Sequence, residues 1–302
     1  MLRSCRINRA VLHAWLVEQP RMGRNGSYHL RLWREDGSMR DTVSTELHAY
    51  FQEALEDART RLRSGFEDQL SPFTGPELDP AVNYPGMLHR ITLQGYLGES
   101  FAALAVEHWD IHGRDDWQVP ALLFRFHDVE FQHLERINQR LRDGHSHDPD
   151  AIGEQRPGRT GDDAIAFVKD TSNSITHVLT LEAKCLVNHR SDKLNEAHSK
   201  LNAGPSIPDS IRELVELLNH YHTPEAQAWQ EALIKYRASG GRRVARYDGV
   251  IYVCGDRPRA RDRTSWMSPT AANSAYTLNR QLVGLEYQVN DLNGLVDRIY
   301  RT

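Results

Sequence analysis

Apolar residues recur along this chain at two spacings, and the switches between them outline its elements. Strand-like spacing marks Gly161–Val168 and Val178–Lys184, separated by the polar turn Asp170-Thr171-Ser172-Asn173-Ser174, which reads as a hairpin. Two more apolar runs, Tyr247–Cys254 and Leu282–Val289, read as strands, and Ala121–Phe126 reads as a strand or buried segment. Helical spacing appears in Leu97, Phe101, Leu104, Ala105 and His108, then over Val129–Leu141 and Ser191–Leu201. The stripes Ile211, Leu214, Leu217, Leu218 and Trp229, Ala232, Leu233, Tyr236 predict two further core helices, the second with Pro224 in its first turn. A helix over Asp291–Tyr300 follows the last strand. Strands alternating with helices predict an α/β fold: a central mixed sheet flanked by helices.

The first 90 residues read differently. Ser27–Trp33 is a predicted strand that ends at the turn Glu35-Asp36-Gly37. Ser44 is the expected cap of a long helix whose stripe is Leu47, Tyr50, Phe51, Leu55, Ala58 and Leu62. Leu70–Gly86, rich in proline and glycine, reads as a connector. The expected division is an α+β accessory region at 1–90 and a catalytic-type domain at 91–302, with 302 residues ample for a substantial core.

Polar residues inside these apolar strands carry the candidate chemistry. Side chains alternate faces on a strand, so Glu182 and Lys184 share one face while Leu179, Leu181, Ala183 and Cys185 share the other. A hairpin brings Asp163, at the start of the preceding strand, beside them. Asp162 competes for the same role; Asp163 is preferred because it abuts the apolar run. Desolvated carboxylates need a charge partner or a cation, and paired oxygen ligands suit Mg²⁺, or Mn²⁺ in its place. Plainer readings exist for each feature: an Asp after glycine makes turns, and a glutamate near a helix start answers the helix dipole. Their order along the chain argues for a common site.

That order resembles the PD-(D/E)xK, restriction-endonuclease-like nuclease superfamily. Gly161-x-Asp163 is similar to the first acidic motif, Glu182-Ala183-Lys184 to the E-x-K motif, and Glu99, in Gly95-Tyr96-Leu97-Gly98-Glu99, to the helical glutamate. No proline precedes Asp163, a departure from many members. The resemblance implies a restriction-endonuclease-like core that hydrolyses phosphodiesters with Mg²⁺. Asp163, Glu182 and the Ala183 carbonyl would hold the metal, and Lys184 would orient the attacking water. Glu99 would hold a second cation or organise the water network. It also implies a nucleic-acid substrate, DNA favoured. The arrangement is similar to nuclease subunits of bacterial anti-phage systems of the Hachiman type, which act with a helicase or ATPase partner.

Charge and cysteine usage refine this picture. A formal net charge of −4 argues against strong unaided affinity for nucleic acid. Yet Arg242, Arg243 and Arg246 precede the Tyr247–Cys254 strand and Arg257 and Arg259 follow it, so both groups are candidate phosphate contacts. Cys5, Cys185 and Cys254 form no C-x-x-C pattern and no disulfide framework, which fits a reducing cytoplasm. The N-terminus lacks a secretory h-region and no apolar stretch reaches membrane-spanning length. Serine-hydrolase and P-loop ATPase chemistry lack their motifs, so any helicase activity belongs to a partner. The long polar loop from Arg142 to Thr160 leads directly into Asp163 and is a candidate cover for the site.

Overall fold

The computed structural model describes residues 7–20, 22–66, 79, 81–126, 128–151, 162–259 and 263–301. Gly161, His127, Cys5, the second half of the 142–160 loop and most of the 70–86 connector lie outside these residues.

A seven-stranded mixed sheet forms the centre. Its strands are β1 (Leu16–Glu18), β2 (Met22–Asn25), β3 (Tyr28–Glu35), β4 (Ala164–Lys169), β5 (Ile175–Leu186), β6 (Ala245–Cys254) and β7 (Gln281–Gln288). The order is β1-β3-β7-β6-β5-β4, with β2 also pairing with β3. Strands β3, β7, β6 and β5 run parallel; β4 is antiparallel to β5, and β1 and β2 are antiparallel to β3. Helices are α1 (Arg9–Trp15), α2 (Arg40–Phe66), α3 (Arg90–His108), α4 (Asp128–Arg142), α5 (Ser191–Ala203), α6 (Ile211–Leu218), α7 (Pro224–Ala238) and α8 (Leu292–Tyr300). The expected α/β sheet flanked by helices is what the chain forms.

Two apolar layers cover the sheet. On one face, α3 packs against β4, β5 and β6, and its residues join those of α2 and α8 in one core. Gly98 makes this close approach possible: a Cβ there would sit 3.1 Å from the Cys185 Cβ and 3.5 Å from the Ala183 Cβ. On the other face, α5 covers β5 and β6, with Leu194, Ala197 and Leu201 against Val250 and Tyr252. Helices α6 and α7 close over Ile165, Phe167 and Val178.

The N-terminal segment is built into this core. β3 pairs with β7 along seven positions, from Tyr28↔Leu282 to Arg34↔Gln288, so the sheet runs unbroken from residues near the start of the chain to those near its end. Trp33 stacks on Tyr287 with ring centroids 4.8 Å apart. The buried Glu35 carboxylate accepts bonds from Trp15 Nε1, Arg40 and the Asn290 amide, tying three distant segments together.

One local expectation changes and one open alternative is settled. The long helix begins at Arg40 rather than Ser44, because a 3-10 turn capped by Asp36 leads straight into it; Ser44 Oγ instead donates back to the Arg40 carbonyl. Of the two readings of residues 121–126, strand or buried segment, the second holds: 121–125 are buried and irregular, Pro120 lacks an amide, Leu123 has φ 57°, and Asp57 accepts from the Leu122 amide where a ladder partner would otherwise serve.

Asp57 therefore holds a buried segment that has no sheet partner there, and its other oxygen accepts from the Tyr221 hydroxyl. Replacing it with alanine strands the buried Leu122 amide and leaves the half-buried Tyr221 hydroxyl only the longer contact to Thr60 Oγ1 at 3.4 Å. The expected cost is about 2–4 kcal/mol, read as a lowered urea midpoint; an unchanged midpoint would count against this role.

Candidate active site

The hairpin register decides what meets at the site. Ala164 pairs with Leu181 across β4 and β5, so Asp163 stands opposite Glu182 and on the same face. The Asp163 amide donates to the Leu181 carbonyl at 3.2 Å, and its Oδ2 accepts from the Ala183 amide at 2.7 Å. Within a strand the N–H and C=O of one residue point to the same side. The Ala183 carbonyl therefore faces the margin that Asp163 occupies.

Glu182 is buried, with 1% of its surface exposed, in the middle of the sheet. Two ammonium groups reach it. Lys184 Nζ, one pleat along β5, lies 2.9 Å from Oε1. Lys200 Nζ, from the last turn of α5, lies 2.9 Å from Oε1 and 2.7 Å from Oε2, and also 3.6 Å from Asp163 Oδ1. Glu196, one turn earlier on α5, pairs with Lys184 at 3.2 Å. Burial, reinforced by the negative charge of Asp163, raises the Glu182 carboxyl to about 8 against the opposing pull of Lys200 and Lys184. Burial works against the Lys184 charge too, but Glu182 and Asp163 outweigh it and hold the ammonium above its ordinary range.

Asp163, Glu182 and Lys184 are thus brought together, as the alternation of strand residues predicts. Asp162 turns elsewhere: its Oδ2 accepts from Ser210 Oγ at 2.7 Å. It lines a small recess with Thr180, Glu182, Lys200, Arg246 and Asp248, so the second aspartate borders the site. Glu99 is buried in mid-α3, ion-paired with Arg125 at 3.6 Å. Its helix covers the face of Ala183 and Cys185, opposite to that of Glu182 and Lys184.

The predicted phosphate-binding arginines divide. Arg242 and Arg243 are exposed before β6, and Arg257 and Arg259 are exposed after it. The ten residues of β6 separate the pairs by about 33 Å. Arg257 bonds Asn290. Arg246 alone borders the recess, donating to Thr180 Oγ1 and the Ser206 carbonyl.

Lys200 is the residue that sequence reasoning missed. It falls inside the expected Ser191–Leu201 helix, where its residue type alone does not single it out. Its signal is position: Leu194, Ala197 and Leu201 bury one stripe of α5, and Glu196 and Lys200, one turn apart, flank that stripe.

The donor set can be tested against a divalent cation. Two carboxylates converge, one of them desolvated, and an ammonium already bridges them where positive charge is needed. Oxygen donors alone fit the Mg²⁺ class. Among the described residues no group of three His, Cys, Asp or Glu side chains converges, so any such site rests on two side chains and backbone or water oxygens.

No protein-family model and no curated protein matches this chain. The site's geometry therefore carries the functional argument. Among the described residues no helix is long and apolar enough to cross a membrane.

A folded-state value near 8 against an ordinary 4.5 fixes the sign of a pH effect. Between those values the folded protein keeps a proton on Glu182 that the unfolded chain has lost, so Glu182 makes stability fall as pH rises through this window. In metal-free buffer, Glu182→Gln is expected to flatten the fall in Tm between pH 5 and 8. Scanning calorimetry of both proteins checks it, and equal slopes would refute the assignment.

Proposed function

We propose that this chain is a metal-dependent nuclease that hydrolyses phosphodiester bonds, with DNA the favoured substrate. The observation that carries the reading is the meeting of Asp163, Glu182 and Lys184 on one face of the β4–β5 hairpin, with Lys200 bridging the two carboxylates. This is the constellation that the resemblance to PD-(D/E)xK nucleases implies.

Asp163, Glu182 and the Ala183 carbonyl would hold Mg²⁺ or Mn²⁺. When bound there, the cation supplies Lewis-acid polarisation of the phosphate and lowers the pKa of water. Lys184, fixed as an ammonium, orients the attacking water and neutralises charge that builds on the phosphate. Lys200 bridges the two carboxylates, and with a cation held there it would be placed to meet the phosphate. Glu99 buttresses α3 through Arg125; in this reading it supports the site from behind rather than acting in it.

Arg246 and Arg280, which border the same recess, are the nearest further cations for the substrate backbone. With a net charge of −4 the chain gains little from bulk attraction to DNA. Delivery by a helicase or ATPase partner, in a defence complex of the Hachiman type, fits that deficit.

One observation favours a second reading. Lys184 and Lys200 already contact Glu182, and Lys200 reaches Asp163 as well, so both carboxyl groups have cationic partners without a metal. A catalytically silent module that binds nucleic acid or assembles a complex is the alternative. Calorimetric titration with Mn²⁺ separates the two: the silent module takes up no cation, whereas the nuclease binds one and loses it in Asp163→Ala.

Plasmid incubated with Mg²⁺ is expected to be cut by the wild type. Asp163→Ala, Glu182→Ala and Lys184→Ala are each expected to lose at least about 100-fold in rate while circular dichroism and melting persist. Wild-type activity in a folded Glu182→Ala protein would end the proposal. Because ligation needs Glu182 ionised, apparent metal affinity should rise with pH and level off above about 8.

A further inference from the structure

A second cavity lies apart from the carboxylate cluster, at the carboxyl ends of β5 and β6, and has a volume of about 520 Å³. Cavities of this size suit a ligand of several tens of atoms, and crevices at the carboxyl ends of parallel strands are where α/β sheets bind nucleotides. One wall is the first two turns of α5; the other is the loop from Arg263 to Asn273.

An aromatic pair dominates the lining. His189 and Trp266 stack face to face, with centroids 3.9 Å apart and planes within 2° of parallel. Both rings are fixed from behind. His189 Nδ1 is 2.8 Å from the Tyr252 hydroxyl. Trp266 Nε1 donates to the Asp256 carbonyl, and the Trp266 and Met267 amides and the Ser265 hydroxyl all donate to the buried carboxylate of Glu286. Burial, with Arg263 nearby, lowers the His189 pKa, so at neutral pH the imidazole is an uncharged stacking surface.

Polar groups of the right kind surround that surface. The guanidinium of Arg263 lies 5.3 Å from the Trp266 ring centroid and places a positive charge at the cavity. Asn195 and Asn273 bond to each other at 2.6 Å, closing the rim and presenting amide edges. A rigid aromatic face, a cation and amide groups together match a planar heterocycle that carries phosphate.

We propose that this cavity binds a nucleotide, its base extending the His189–Trp266 stack and its phosphate facing Arg263. The ligand is either a free mononucleotide or one nucleotide of a single strand that also runs toward Lys184, which the same helix α5 contacts through Glu196. Binding here does not require the nuclease reading to hold.

The test is calorimetric titration of the full chain carrying Glu182→Gln, without metal, using deoxynucleoside monophosphates, a short single-stranded deoxyoligonucleotide and inorganic phosphate. Saturable binding of nucleotide or oligonucleotide but not of phosphate is expected. His189→Ala and Trp266→Ala should each weaken it about tenfold, and Trp266→Phe, which keeps an aromatic face, should retain it. Tighter binding of the oligonucleotide assigns the site to a strand; equal binding assigns it to a free nucleotide. No saturable binding by either, binding of phosphate alone, or unchanged affinity in folded His189→Ala and Trp266→Ala proteins would overturn the proposal. Cleavage plays no part in this measurement, so its outcome is separate from that of the plasmid assay.

Discussion

A carboxylate almost wholly removed from water, Glu182, is the constraint around which this molecule is arranged. Left alone in the middle of a sheet it would cost several kcal/mol. The chain meets that cost from two directions, with Lys184 on the same strand and Lys200 from the helix that follows. The position of α5 is therefore set by charge as well as by Leu194, Ala197 and Leu201. Asp163 adds a second negative charge at the same place, which is difficult to explain by stability alone. Replacing buried ion pairs by well-packed apolar residues is often neutral or stabilising, and charge gathered in this way is a feature that sites of reaction or ion binding share with structural ion-pair networks.

Much of this was legible in the sequence because strand alternation is a rigid rule. Once Val178–Lys184 is read as a strand, the faces of Glu182, Ala183 and Lys184 follow, and the apolar face of Ala183 and Cys185 does pack against α3. The hairpin turn then places Asp163. Elements with strong periodicity, such as α6 and α7, carry through nearly to the residue. What escaped notice depends on tertiary context. Residues 121–126 read equally as a strand or a buried segment, and what decides between them is Asp57, some sixty residues earlier, which supplies the acceptor that a neighbouring strand would. Lys200 is one of several polar residues on an amphipathic helix, and only the docking of that helix reveals which of them reaches the sheet. Glu99 shows the opposite case. Its place in the motif order suggests a part in the chemistry, whereas its helix lies on the far face and its charge is answered by Arg125.

The N-terminal segment raises a question of architecture. The sequence pattern predicts an accessory region at 1–90; in the fold, β3 extends the sheet beside β7 and α2 fills its core. A parallel pairing between strands about 250 residues apart is a contact of very high sequence separation, which delays folding until both ends of the chain are present. It also protects the site: β7 is interior to the sheet because β3 covers it, and β6 and β5 inherit a fixed twist and register from that side. The site end is different. β4 is the last strand on its side, and the described chain beyond it adds only the single bridge between Gln118 and Phe167. Asp163 sits at the start of that edge strand.

Charge placement bears on how a long polyanion would approach. Arg242 and Arg243 lie at one end of β6, Arg257 and Arg259 at the other, and Glu182 pairs with Val250 midway between them. A strand of nucleic acid laid along this direction would meet cations at both extremes and the carboxylate–lysine cluster between. The aromatic cavity of His189 and Trp266 lies toward the carboxyl end, on the side of Arg257 and Arg263. Stacking there would fix a base while Arg246 and Lys200 meet the backbone closer to Glu182. In that arrangement affinity would come from a few placed contacts rather than from net charge.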